Sequence, residues 1–194
     1  IVDVASSVFG SWNANAVGSA PLPPVPHATQ RRRITIPMMN KSQTEIAYGF
    51  TTITRDDPQY YTFWLMNNVF GQYALGGRLG DNIRERQGMA YHVSSTFDAN
   101  ILPGPLMVRA GVNAANVDRA VEAIDQEVSS LHRDGVTPKE LPESRQYMIG
   151  SMPRQLETNA GIAQFLQTAE FFNLGLDYDI RLLELLGAVT LEEV

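Results

Sequence analysis

The chain has 194 residues, 44% of them hydrophobic, which is enough for one sizeable core or one domain with an appendage. Its net charge of -6 excludes nucleic acid as the main partner, because phosphate binding needs a concentrated positive field. The absence of cysteine excludes disulfides and thiolate metal sites, and no apolar run reaches the ~18 to 20 residues that span a bilayer.

Residues Val2 to Trp12 carry Val4, Val8 and Phe9 at helical spacing, which predicts a short amphipathic helix. The opening "IVDVASSVFGSW" lacks a basic start and does not read as a signal peptide. "NANAVGSAPLPPVPHATQ" follows, and its four prolines make it an extended linker. Residues 1–29 therefore read as a helix and proline-rich linker leading from a preceding domain, and residues 30–194 as a single α+β domain truncated at its C-terminus.

"RRRITIPM" alternates, with Arg31, Arg33 and Thr35 on one side and Arg32, Ile34 and Ile36 on the other, and is predicted as a strand closed by Pro37. "MNKS" would turn it into a second strand, "QTEIAYGFTTI", rich in β-branched and aromatic residues. "DDPQYYTFWLMNNVFG" predicts a helix with Asp57 as cap, Pro58 in the first position and an apolar stripe of Tyr61, Trp64, Leu65, Val69 and Phe70. Arg78 to Arg86 reads as a short helix stopped at Gly88 in a left-handed conformation. "MAYHVSSTFDA" and "PLMVRAGV" read as antiparallel strands around "NILPG". Asn113 caps a long helix that Gly135 ends, with Val117, Val121, Ile124, Val128 and Leu131 recurring every three or four residues. Thr137 and Glu140 signal another helix, expected from about Glu143 because of Pro142 and interrupted at Pro153. "TNAGIAQFLQTAEFFNLG" and "DYDIRLLELLGAV" supply two more, and Thr190 with Glu193 forms a capping box at the end. Both termini read as cuts within a longer protein. Antiparallel strands with helices mainly on one face make a two-layer α+β fold.

The patterns of common hydrolytic chemistry are missing. His27, His92 and His132 are scattered, and neither H-E-x-x-H nor H-x-x-E-H occurs. Ser94 and Ser95 lie mid-strand rather than on a nucleophile elbow, no phosphate loop is present, and Asp125 and Glu127 sit two apart on a helix and do not face each other. Arg31 to Arg33 reads as a solvent-facing run, contact with acidic substrate or a partner half being the alternative. The Tyr60, Tyr61, Phe63 and Trp64 cluster reads as core, and Lys41 as a surface charge.

Arg84 and Tyr91 remain, seven residues apart with Gly88 turning the chain between them. A guanidinium fork and a rigid phenol can together hold a peptide carbonyl or brace charge developing on it. By spacing alone, the commoner roles are a solvated helix charge for Arg84 and a half-buried strand aromatic for Tyr91. The stretch "LGGRLGDNIRERQGMAYHVSS" resembles the hallmark segment of the C-terminal, non-catalytic half of pitrilysin-type zinc metallopeptidases, the group of insulysin and the mitochondrial processing peptidase. "PLPPVPHATQRRRITIPMMNKSQTEIAYGF" and "NLGLDYDIRLLELLGAVTLEEV" extend the resemblance over most of the chain. Arg78 stands where relatives often show serines before "SRL"; Arg78-Leu79 matches that "RL" and reads as packing or turn chemistry, not as a site.

The resemblance implies a zinc-lacking domain of a metalloendopeptidase that binds peptide substrate through Arg84 and Tyr91 and closes the proteolytic chamber. It implies no catalytic and no metal-ligating residue in this chain. Zinc is expected in a partner catalytic half, on the same or another polypeptide, in a homo- or heterodimer. A soluble protein of the bacterial periplasm or cytoplasm is expected. The same fold also serves as a non-proteolytic core subunit of respiratory complexes, and a stand-alone peptide-binding module is a third reading.

Overall fold

Alternation of apolar and polar residues, broken by a bulge in one strand, builds the sheet of the computed structural model, which describes residues 1–12, 22–26, 28–73 and 76–194. Strand β1 (Thr44–Thr51) pairs antiparallel with β3 (Pro105–Val112) along its whole length, from Thr44 opposite Val112 to Thr51 opposite Pro105. Strand β2 (Ala90–Phe97) lies on the other side of β3, so the order is β1-β3-β2 and β3 is central. Ile46, Val93, Leu106, Val108, Ala110 and Val112 face inward and are buried. On the other face Glu45, Ala47, His92, Thr96 and Arg109 are exposed, with no helix over them among the described residues.

Helix α1 (Val2–Phe9) buries none of its residues. Helix α2 (Tyr60–Asn67) runs on into a π-helical turn, Asn68–Gln72. A second π-helical segment spans Gly80–Arg86. Helix α3 (Val117–Asp134) follows a 3₁₀ turn that Asn113 caps by accepting the Ala115 amide at 3.0 Å. Helices α4 (Glu140–Gln155), α5 (Asn159–Phe171) and α6 (Tyr178–Ala188) complete the described chain. One core lies between the sheet and Phe70, Leu79, Ile83 and Ile124. A second joins Leu65 and Val69 to Leu141, Met148, Leu182 and Leu186. Each of these large side chains contributes about 1.5–3 kcal/mol on burial.

The strand predicted over Arg31 to Pro37 does not form. Arg31 and Arg33 both turn to α3, pairing with Asp125 and Asp118 at 2.7 Å, while Ile34 and Ile36 stand 79% and 78% exposed. Two ion pairs to a helix hold the segment extended beside α3, away from any ladder that would satisfy its backbone. With that strand gone, "MNKS" is a turn with Asn40 at φ 60° but no hairpin. Helix α2 begins at Tyr60, after Asp57 has accepted the Gln59 amide at 2.8 Å. Helix α4 starts three residues earlier than expected: Thr137 and Glu140 form a reciprocal capping box, at 2.7 and 3.2 Å, and Pro142 falls in the first turn, where no amide donor is needed. The helix runs two residues past Pro153.

Candidate functional site

The glycine-rich turn and the segment Gly80–Arg86 are shaped by close packing. Leu79 and Ile83 are fully buried and four apart, and they fix one side of the segment in the core. Gly71 makes this possible: a Cβ there would lie 2.7 Å from Leu79 Cδ1 and 2.8 Å from Ser95 Oγ, so only glycine lets the helix seat against β2. Arg78 clamps the turn from outside. Its guanidinium donates to both carboxylate oxygens of Glu140 at 2.7 Å and to the Gly135 carbonyl at 2.8 Å. The Arg78 hydrogen bonds hold the Glu140 carboxyl at about 2, well below its ordinary 4.5. Packing and turn chemistry is therefore what Arg78 performs.

Arg84 and Tyr91 lie on either side of the turn that Gly88 makes at φ 59°. Arg84 points away from buried Ile83 into solvent, and among the described residues its one ionic contact is with its neighbour Glu85, at 3.6 Å. Tyr91 is 76% exposed. The cause is a β-bulge. Ala90 pairs with Val112 and His92 with Gly111, which leaves Tyr91 as the extra residue. Such a bulge redirects a side chain, and here it frees a phenol that strand alternation would half bury. No hydrogen bond joins Arg84 to Tyr91 in this structure.

Beside Tyr91 a His–Glu contact crosses the bare sheet face. His92 Nε2 lies 3.2 Å from Glu45 Oε2, spanning β3 above Gly111. A Cβ at Gly111 would sit 2.5 Å from the imidazole, so the missing side chain is what lets the bridge form. His132 lines an apolar pocket of about 290 Å³ with Phe50, Met66, Phe70 and Leu131. His27 lies outside the described residues. Among the described residues no group of three His, Asp or Glu side chains could hold a metal ion. Asp125 and Glu127 border an open cleft of about 480 Å³ and are engaged by Arg31 and Asn82.

Sequence reasoning missed one buried charge. Arg55 is 8% exposed and boxed by rings: its guanidinium lies 3.7 Å over Tyr60 and 5.5–5.8 Å from Tyr61, Phe172 and Tyr178. It donates to Tyr178 Oη at 3.0 Å, and no carboxylate pairs with it among the described residues. Burial pushes the Tyr178 phenol up, and does the same to Tyr60. Of the aromatic cluster read as core, Tyr61 and Trp64 pack against the second core, while Tyr60 and Tyr61 join Phe172 and Tyr178 in a cation-π box tying α2 to α6.

The match that decides the family covers residues 1–148, which fit the peptidase M16 inactive domain. The chain belongs to that family. It is 31% identical over 153 residues to an uncharacterized zinc protease of Bacillus subtilis, YmxG, a match covering 77% of this chain and 36% of the relative. The crystal structure of a peptidase M16 inactive domain from Pseudomonas fluorescens superposes with a TM-score of 0.71 at 29% identity, over 79% of this chain and 36% of that one. A protease structure from Helicobacter pylori shares the fold over 99% of this chain and 47% of its own, with a TM-score of 0.81 at 15% identity. The M16 inactive domain thus spans about a third of the length of the YmxG relative. Its α+β architecture, with an antiparallel sheet and segregated helices, is that of its neighbours. Among the described residues no helix is long and apolar enough to cross a membrane.

Proposed function

We propose that this M16 inactive domain binds the peptide substrate of a zinc metalloendopeptidase and closes the proteolytic chamber, leaving zinc chemistry to a catalytic half on the same or another chain. Arg84 and Tyr91 are the substrate-binding pair. The single observation that carries the reading is the bulge, which breaks the β2–β3 register at Tyr91 and turns the phenol into solvent at 76% exposure. A large aromatic gains nothing in stability from that position, whereas a phenol with a free hydroxyl is well placed to donate to a passing carbonyl. Arg84 supports the reading because its partner Glu85 is adjacent, exposed and distant enough to yield the guanidinium to a substrate.

The pair binds, orients and screens charge; it moves no proton. Amide hydrogen exchange of the purified chain with an unstructured peptide tests this. Added protection over residues 80–97 is expected, lost in Arg84→Ala and in Tyr91→Phe. Protection elsewhere, or equal protection in both variants, would overturn the assignment.

A further inference from the structure

Arg109 lies on the central strand, on the sheet face that no helix covers. Its register partners on that face are Ala47 in β1 and Ser94 in β2, and the next positions along β3 are Met107 and Gly111. The guanidinium therefore rises over a floor of mostly short side chains. Four arginines elsewhere in the chain, Arg31, Arg33, Arg78 and Arg86, pair with Asp125, Asp118, Glu140 and Asp81. Arg109 has no ion pair and no side-chain hydrogen bond among the described residues. Glu45, the carboxylate one step along the same face, lies 3.2 Å from His92 across Gly111.

We propose that Arg109 is a carboxylate-recognising residue for the acidic side chain of an extended peptide lying across this face. The proposal rests on the peptide-binding reading above and names the side chain that such a substrate carries. Charge complementarity supports it: a fork of five donors stands unpaired on a face whose own carboxylate lies against His92, 3.2 Å away. Side chains of an extended peptide alternate, so every second one meets the sheet. An internal Asp or Glu of a chain passing along the face meets Arg109 in this way.

The test uses fluorescence anisotropy with dye-labelled, C-terminally amidated peptides that differ only in one central Glu or Gln. The unaltered chain is expected to prefer the Glu peptide by about tenfold, the worth of one charge-assisted bidentate contact. Arg109→Gln should abolish the preference and keep the affinity for the Gln peptide. Arg109→Lys should hold an intermediate preference, and Arg119→Gln, the same charge change on the surface of α3, should keep the full one. Equal binding of both peptides, or a preference that survives Arg109→Gln, would overturn the Arg109 assignment and leave the Arg84 and Tyr91 reading standing. A preference that appears only with a free C-terminal carboxylate would overturn the choice of a side chain as ligand. Binding of neither peptide would overturn the peptide-binding reading and this proposal with it.

Discussion

Replacing Glu140 with Gln removes the charge that holds the glycine-rich turn against the start of α4. In the folded chain the carboxyl is held at about 2, against an ordinary 4.5, chiefly by the Arg78 hydrogen bonds. A shift of about 2.5 units corresponds to about 3.4 kcal/mol at full weight. The Glu140 side chain is 27% accessible, so solvent screening brings its worth to about 1–2 kcal/mol. The folded value is depressed, so this stability is fully present above pH 4.5 and is lost as pH falls from there toward 2. At pH 7 Glu140→Gln should lower Tm by about 3–6 °C, as expected for a domain of this size. Its unfolding free energy, followed by circular dichroism in urea, should fall less steeply than that of the unaltered chain between pH 4.5 and 2. Arg78→Ala should cost a similar amount, and the double variant little more than either single one, because both lose the same contact. An unchanged Tm at pH 7, or parallel acid profiles, would refute the reasoning.

Two further substitutions probe the framework. Gly71→Ala puts a Cβ 2.9 Å from the Ser95 backbone nitrogen, which cannot swing aside, and should destabilise by about 1–3 kcal/mol in urea titrations. A neutral result would mean that the helix does not seat on β2 as described. Arg55→Ala empties the aromatic box and should cost about 2–4 kcal/mol by the same assay, with Arg55→Met, closer in volume, costing less. Equal stability of Arg55→Ala and the unaltered chain would show that the box is not a clamp.

Local signals were legible wherever one residue could satisfy a need on its own. Asn113, Gly88 and Gly135 mark their helix boundaries as expected, and Thr137 with Glu140 forms the start signal read from the sequence although α4 begins earlier than Pro142 suggested, because capping and left-handed backbone depend on near neighbours. The paired strands from Ala90 to Val112 followed from alternation. The failed strand at Arg31 to Pro37 shows the limit. Alternation there is genuine, yet its arginines find carboxylates on α3, about ninety residues away in sequence, and no propensity scale contains that contact. Arg55 was invisible for the same reason, since its partner Tyr178 lies 123 residues on. The spacing of Arg84 and Tyr91 was visible, but the bulge was not, because it is a property of the register between two strands. Arg109 could have been noticed: in "PLMVRAGV" the arginine falls on the side opposite Leu106, Val108 and Ala110.

On the proposed function, this M16 inactive domain supplies substrate-binding donors to a zinc-bearing half. Single-turnover hydrolysis of a peptide by the assembled enzyme, with the zinc-bearing half unaltered, tests it most directly. Arg84→Ala or Tyr91→Phe in this domain should slow the chemical step by about 10²-fold, in the range of removing one transition-state donor. Zinc content of the assembly should stay unchanged. Full turnover in both variants, with assembly intact, would contradict the account.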